Sequence, residues 1–184
     1  MKRKKTKMMV GPVALVITVI IVAAFFVAGN FVINKHAKNQ RSNDTYIKGQ
    51  VEMAIGMLDQ INKKREQGFY TLTQAKQMGA DMLRNLRYGD DKQGYFWADT
   101  SKGVNVVLLG DKKVEGTNRL NAELNGMPYV KMIIQNGMMP NGGFTDYYYY
   151  KMGGILPCAK RAYSMYYKPF DWVVGTGYYP QTVK

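Results

Sequence analysis

The sequence predicts an α+β fold carried on an N-terminal membrane helix, and three observations predict it. A cluster of basic residues is followed by a long apolar run. The apolar period then stays helical as far as residue 88. From Gly94 onward it changes to the short, glycine-punctuated runs of strands.

Lys2, Arg3, Lys4, Lys5 and Lys7 precede an apolar run from Met8 to Ile33, broken only by Gly11, Pro12, Thr18, Gly29 and Asn30. Val10 to Ile33 makes roughly 36 Å of helix at about 1.5 Å per residue, enough to cross a bilayer core of about 30 Å with some tilt. The run is longer than the apolar core of a cleaved signal, and Val27-Ala28-Gly29 is a poor cleavage site. The reading is a basic cytoplasmic tail over 1–8, a signal-anchor helix over 9–33 and an extracytoplasmic domain over 34–180, with 181–184 a C-terminal stub. The excess of basic residues before the helix keeps the tail inside.

The net charge of +13 divides accordingly. Five positive charges belong to the tail, which leaves 21 Lys+Arg against 13 Asp+Glu, or +8, for the remainder. That balance favours anionic ligands or an anionic envelope, and the exterior location argues against nucleic acid. One cysteine, Cys158, excludes an intramolecular disulfide; beside Pro157 in a strand-like segment it is expected to be a buried, inert thiol.

Ile47, Val51, Ala54, Leu58 and Ile61 form an apolar seam at heptad spacing on a long helix, serving core packing, a dimer stripe or both. Gly68 ends that helix. Thr71 or Thr73 caps a second one, with Leu72, Ala75, Met78, Met82 and Leu86 on one face and Gly89 at its C-terminus. Gly94–Thr100 and Val104–Leu109 read as a hairpin turned at Ser101-Lys102-Gly103. Residues 110–126 are loop, and Pro128–Gln135 is a short helix ended by Gly137. Gly143–Tyr150, Ile155–Tyr167 and Trp172–Tyr179 are three strands of a meander, turned at Met152-Gly153-Gly154 and at Lys168-Pro169-Phe170-Asp171, hence antiparallel.

Several stretches are specific in combination: LRYG, then GYFWADTSKG, VVLLG, EGTNRLN, ELNG, GGFTDYYYYK and PCAKRAYSMYYKPFDWVVGTGYY. In this order and spacing, residues 40–180 resemble the single Cache domain of the second type, a sensory module of methyl-accepting chemotaxis proteins and other membrane receptors. The resemblance implies a PAS-like antiparallel sheet of about five strands beside a long N-terminal helix. It also implies a pocket on the sheet for a small organic anion, with a short carboxylate favoured. The positions that match its ligand-binding residues are Arg87, Tyr88, Tyr95, Trp97, Tyr147, Tyr149, Lys160 and Tyr163. A homodimer is expected, and neither cofactor nor metal.

The residues themselves support part of this set. A carboxylate needs a charge-assisted donor, and its carbon tail needs an apolar or aromatic wall. Strand alternation puts Tyr95 and Trp97 on one face and Phe96 and Ala98 on the other, and Tyr147 with Tyr149 opposite Tyr148 and Tyr150. Lys160 and Tyr163 fall on opposite faces, so one of them leaves the pocket. Arg87 caps a helix or holds a ligand. Trp97, Trp172 and Tyr95 are core or ligand wall. Asp99 is expected to shape the turn into Gly103. Asp146 meets a ligand amine or pairs with Arg161.

Two departures stand out. Many relatives carry a His-Pro pair where this chain has Leu108-Leu109-Gly110, and they continue past GTGxY into a second membrane helix and a signalling coiled coil. Here the output module is expected to lie outside the given sequence or in a partner. An enzyme is disfavoured, since His36 alone supplies no Ser/His/Asp, Cys/His or metal-binding set. The alternative is a stand-alone, membrane-anchored ligand-binding or pilin-like interaction protein. Against the pilin-like form, Gly11 is followed by Pro12 and the apolar run contains no acidic residue.

Overall fold

The computed structural model describes residues 12–108 and 111–180, with side chains from Ile20 onward. The basic tail, the first residues of the anchor, Leu109-Gly110 and the 181–184 stub lie outside the described residues. The chain divides into two units after Ser42.

Helix α1 spans Pro12–Glu66. In the first unit its apolar side chains lie uncovered: Phe25 and Phe26 are each 74% exposed, and Phe31 and Ile33 are similar. Among the described residues α1 is the one helix long and apolar enough to cross a membrane. The Asn30 amide donates to the Phe26 carbonyl at 2.9 Å, so its polar group is satisfied within the helix.

The second unit holds the rest of α1, then α2 (Leu72–Asn85), β1 (Arg87–Tyr88), β2 (Gly94–Tyr95), β3 (Trp97–Thr100), β4 (Asn105–Leu108), α3 (Tyr129–Gly137), β5 (Gly143–Tyr150), β6 (Pro157–Tyr167) and β7 (Trp172–Tyr178). The main sheet has the order β4-β3-β7-β6-β5, and every pairing is antiparallel. The predicted meander is therefore β5-β6-β7, and the predicted hairpin β3-β4 joins its edge through β3.

Along α1, Ile47, Val51, Ala54 and Leu58 are buried as the seam predicts. At the next level Asn62 takes the buried place and Ile61 is half-buried. A straight helix of 3.6 residues per turn drifts from a 3.5 repeat by about 20° per heptad, which accounts for the exchange. Asn62 remains satisfied, donating to Glu66 and accepting from Arg65.

Thr71 caps α2 with a reciprocal capping box: Gln74 N–H donates to its hydroxyl, and the Gln74 side chain accepts from Thr71 N–H. The face that α2 buries is the predicted one only in part. Ala75 is buried and Met82 and Leu86 pack half-buried against the core, but Leu72 and Met78 are exposed, and Gly79, Ala80 and Leu83 are buried in their stead. Small residues win because α2 approaches the core closely. A Cβ on Gly79 would stand 2.8 Å from Leu58 Cδ2, 3.2 Å from Trp172 and 3.3 Å from Phe170. Gly79→Val is expected to cost about 1–3 kcal/mol by overpacking, despite valine's better helix propensity, and urea unfolding measures it.

The end of α2 also differs. The helix stops at Asn85, and Arg87-Tyr88 pair with Tyr95-Gly94 as a two-residue ribbon. Gly89, at φ +82°, turns that ribbon instead of capping the helix. The expected Gly94–Thr100 strand is thereby divided: β2 pairs with β1, and β3 pairs within the main sheet.

The sheet separates two apolar layers. On one side, Phe96, Ala98, Val174 and Trp172 pack with Leu58 of α1 and Leu83 of α2. On the other, Tyr95, Trp97, Tyr147 and Val173 pack with Val130, Ile133 and Ile134 of α3. This second layer is incompletely filled.

Candidate ligand-binding site

Between the sheet and α3 lies a hollow with an empty volume of about 270 Å³, part of it continuous with solvent. Its walls are Tyr95, Trp97 and Asp99 from β2–β3, Leu108 of β4, Arg119 from the following loop, Tyr129, Val130 and Ile133 of α3, Tyr147 and Tyr149 of β5, and Lys160 of β6. Alternation aims these strand residues inward. Lys160 sits opposite Tyr147 in the β5–β6 register, and Trp97 opposite Gly175 in β3–β7.

Lys160 is only 2% exposed. Its ammonium donates to the Tyr95 hydroxyl at 2.8 Å. It lies 4.5 Å from the centroid of the Tyr95 ring, 4.8 Å from Trp97, 5.1 Å from Tyr179 and 5.4 Å from Tyr149. Ring faces attract a cation, but weakly beside the hydration it has given up. Among the described residues no carboxylate forms an ion pair with it. Burial accordingly lowers its pKa from 10.5 to about 7.

A second polar group occupies the other part of the wall. Arg119 Nη2 donates to the Tyr129 hydroxyl at 2.6 Å, and its guanidinium stands 5.7 Å from the centre of that ring. Tyr129 in turn stacks on Tyr147, with centroids 5.6 Å apart and planes 8° from parallel. Asp99 is buried and accepts from Asn105 Nδ2 at 2.8 Å. Burial pushes its carboxyl up to about 6, against the opposing pull of the Asn105 hydrogen bond and the Arg119 charge. The indole N–H of Trp97 is buried without an acceptor. The hollow thus presents two cations, one weak acid, tyrosine hydroxyls, an unused donor and an apolar wall.

Of the eight residues singled out from the sequence, Tyr95, Trp97, Tyr147, Tyr149 and Lys160 meet in this hollow. Arg87, Tyr88 and Tyr163 do not line it. Arg87 Nη1 donates to the carbonyls of Arg84 and Leu86, at 2.8 and 2.6 Å, and so satisfies the C-terminal end of α2. Tyr88 turns to the α1 side, edge-on to Tyr46, with its hydroxyl 2.5 Å from Thr176 Oγ1. Tyr163 packs on Ile47 and Val51, and its hydroxyl donates to the Asn141 carbonyl.

Other expectations are settled by contact. Asp146 pairs with Arg161 at 2.6 Å. Arg161 also makes a two-pronged contact with Asp44 of α1, Nε to Oδ1 at 2.8 Å and Nη2 to Oδ2 at 3.0 Å, and Tyr178 donates to Asp44 as well. Cys158, opposite Tyr149 near the start of β6, is half-exposed, not buried. Asp99 is a wall of the hollow instead of a residue of the turn. Arg119 and Tyr129 were not singled out at all. Arg119 lies in the quoted EGTNRLN stretch, but a loop has no period from which its direction follows.

A five-stranded antiparallel sheet with a long helix on one face and a walled hollow on the other is the architecture of the PAS-like α+β domains. The chain belongs to the single Cache domain 2 family, whose family model matches residues 39–184. The methyl-accepting chemotaxis protein McpP of Pseudomonas putida KT2440 is 25% identical over 136 residues, which are 73% of this chain and 24% of that protein. The chain therefore spans about a quarter of the length of that relative.

Solved structures share the fold at lower identity. A methyl-accepting chemotaxis protein from Vibrio parahaemolyticus superposes with a TM-score of 0.70 at 22% identity, over 80% of this chain and 95% of that one. A periplasmic sensor domain of a chemotaxis protein gives 0.68 at 24%, over 82% and 98%. A Cache chemosensory domain solved to explain its carboxylic acid recognition gives 0.69 at 23%, over 79% and 99%.

Proposed function

We propose that the chain is the sensory part of a chemotaxis-type membrane receptor and that its hollow binds a short carboxylate. The observation that carries the reading is Lys160: a buried ammonium ringed by aromatic side chains and paired with no described carboxylate. An anion supplies the missing charge partner. In this reading Lys160 and Arg119 hold the carboxylate, the hydroxyls of Tyr95, Tyr147 and Tyr149 orient it, and Trp97, Val130 and Ile133 enclose its carbon tail. Arg87, Tyr88 and Tyr163 support the surrounding elements.

The signal in this reading passes through Asp44, Arg161 and Tyr178, which tie α1 to β6 and β7. A ligand that draws β6 towards the hollow shifts these strands against the helix, by no more than its differential affinity for the two arrangements. The domain faces the exterior and works as a homodimer. Tyr46, Met53 and Met57 form an exposed apolar stripe on α1, and Gly49 and Gly56 beside it leave room for close approach. Protease shaving of intact cells tests the orientation, and cross-linking through Met53→Cys tests the dimer.

The primary test is thermal stabilisation of the purified full chain by a panel of short carboxylates. Stabilisation by at least one supports the reading; an unchanged melting temperature across the panel removes it. The charge of Lys160 also sets a pH dependence. Its pKa near 7 in the empty site means that it must gain a proton to pair with an anion as pH rises above that value. Calorimetric affinity is expected to weaken by up to about tenfold per unit above pH 7, with proton uptake on binding, while protonation of Asp99 near pH 6 removes a repelling charge and strengthens binding further on the acid side.

A further inference from the structure

We propose that the tip of the β5–β6 hairpin is a lipid-contacting foot, seated in the headgroup layer of the membrane that carries the N-terminal helix. The proposal rests on reading that helix as membrane-spanning and is independent of what the hollow binds. Its first support is exposure. At the tip Ile155 is 88% exposed, Leu156 72% and Met152 49%, and Tyr148 and Tyr150 on the adjoining strand are also exposed. Aliphatic residues this exposed at one turn are costly in water and mark a contact surface.

The second support is composition. Aliphatic residues at the tip, tyrosines along the stem and a lysine between them make the profile of a segment at a membrane–water interface. Lys151 lies over the Tyr179 ring, 5.5 Å from its centre. No acidic residue occurs between Tyr147 and Phe170, and Lys151 at the tip is exposed. The exposed Lys151 and the absence of acids suit an anionic lipid surface.

The third support is direction and reach. Tyr163 of β6 packs on Ile47 and Val51, while Arg161 meets Asp44. Moving back along β6 therefore moves towards the start of the domain's share of α1, where the chain arrives from its apolar run. β6 reaches back to Pro157, four residues before Arg161 and roughly 13 Å further along a strand at about 3.3 Å per residue, and Leu156 and Ile155 lie in the turn beyond it. Asp44 lies eleven residues after Ile33, a separation of about 17 Å as helix and at most about 38 Å as extended chain. The hairpin tip therefore projects on the side of the domain where α1 enters it.

The test uses the full chain in vesicles of phosphatidylglycerol and phosphatidylcholine, with Cys158→Ser as background. Ile155→Cys carries an environment-sensitive dye; Gln67→Cys, at the far end of α1, carries the same dye as control. Flotation with the vesicles checks anchoring, and the melting temperature checks folding. The dye at 155 is expected to be quenched about twofold by lipids spin-labelled near the headgroup and shielded from aqueous iodide, with the opposite pattern at 67. Protein that floats with a dye at 155 as open to iodide as that at 67 overturns the foot and leaves the anchor intact. Shielding from both quenchers overturns it in favour of a protein partner or a second copy. Protein that does not float overturns the anchor, and the foot with it.

Discussion

Lys160→Met is expected to raise the melting temperature of the ligand-free protein while abolishing its response to short carboxylates. Methionine matches the length of the lysine stem and suits a cage of aromatic rings. The substitution gives up the cation–ring contacts and the hydrogen bond to Tyr95. Tyr95 retains Tyr179 as a hydrogen-bond neighbour, so its hydroxyl is not orphaned. Against these losses stands the cost of holding a charge out of water. Burial lowers the pKa to about 7, which marks that cost as large. Replacement of unpaired or buried charge by apolar groups of similar volume commonly gains about 1–4 kcal/mol, and each kcal/mol is worth about 2–4 °C in a chain of this size.

The pH dependence gives the same variant a second signature. The folded pKa of Lys160 lies below its unfolded value of 10.5, so the unfolded chain binds more protons between pH 7 and 10.5. Stability from this group therefore rises with pH through that window, and its full cost is felt below about 7. The wild type is expected to gain on the variant from pH 7 to 9 in denaturant titrations. A Lys160→Met protein that still binds carboxylate, or that melts below the wild type at pH 6, would falsify the role given to this residue.

Gly175→Val is expected to close the hollow from behind. Gly175 faces Trp97 across the β3–β7 register, and the indole lies flat over it. A Cβ there would meet Trp97 Cζ2 at 2.6 Å and Cε2 at 2.7 Å. The ring is 4% exposed and lines the hollow, so a shift away from Gly175 carries it into that space. Overpacking of this kind costs about 1–3 kcal/mol, and the displaced ring occupies the space a ligand needs. Carboxylate affinity should fall by more than about tenfold while the circular dichroism of the sheet persists. Undiminished affinity in a folded variant would mean that Trp97 is not a wall of the binding site. The same contact explains why the WVVGTGYY stretch carries glycine at this point.

The largest part of the fold was legible because it follows from local period. The 4-3-4-3 spacing from Ile47 identified the buried stripe of α1, and alternation placed Tyr95 with Trp97 and Tyr147 with Tyr149 on one face. It also separated Lys160 from Tyr163, and the structure puts Lys160 in the hollow and Tyr163 against α1. Misreadings came where distant chain decides. On α2 the spacing places Ala75, Met82 and Leu86 on the core side correctly but adds Leu72 and Met78, which are exposed; Leu58, Phe170 and Trp172 instead select Gly79, where only a residue without a Cβ admits so close an approach. Gly89 was assigned to a helix end until its neighbours paired with Gly94 and Tyr95.

By itself, then, the sequence determined the order of helices and main-sheet strands and the face that Tyr95, Trp97, Tyr147, Tyr149 and Lys160 share. These depend on covalent geometry and on the spacing of apolar side chains, which neighbours along the chain suffice to set. Only the tertiary structure decided that Arg119 and Tyr129 join the wall, that Arg87 turns back to cap α2, and that Lys160 is enclosed with no carboxylate partner among the described residues. Those outcomes depend on how loops close over a sheet, and the energies that choose among such closures arise between residues far apart in the chain.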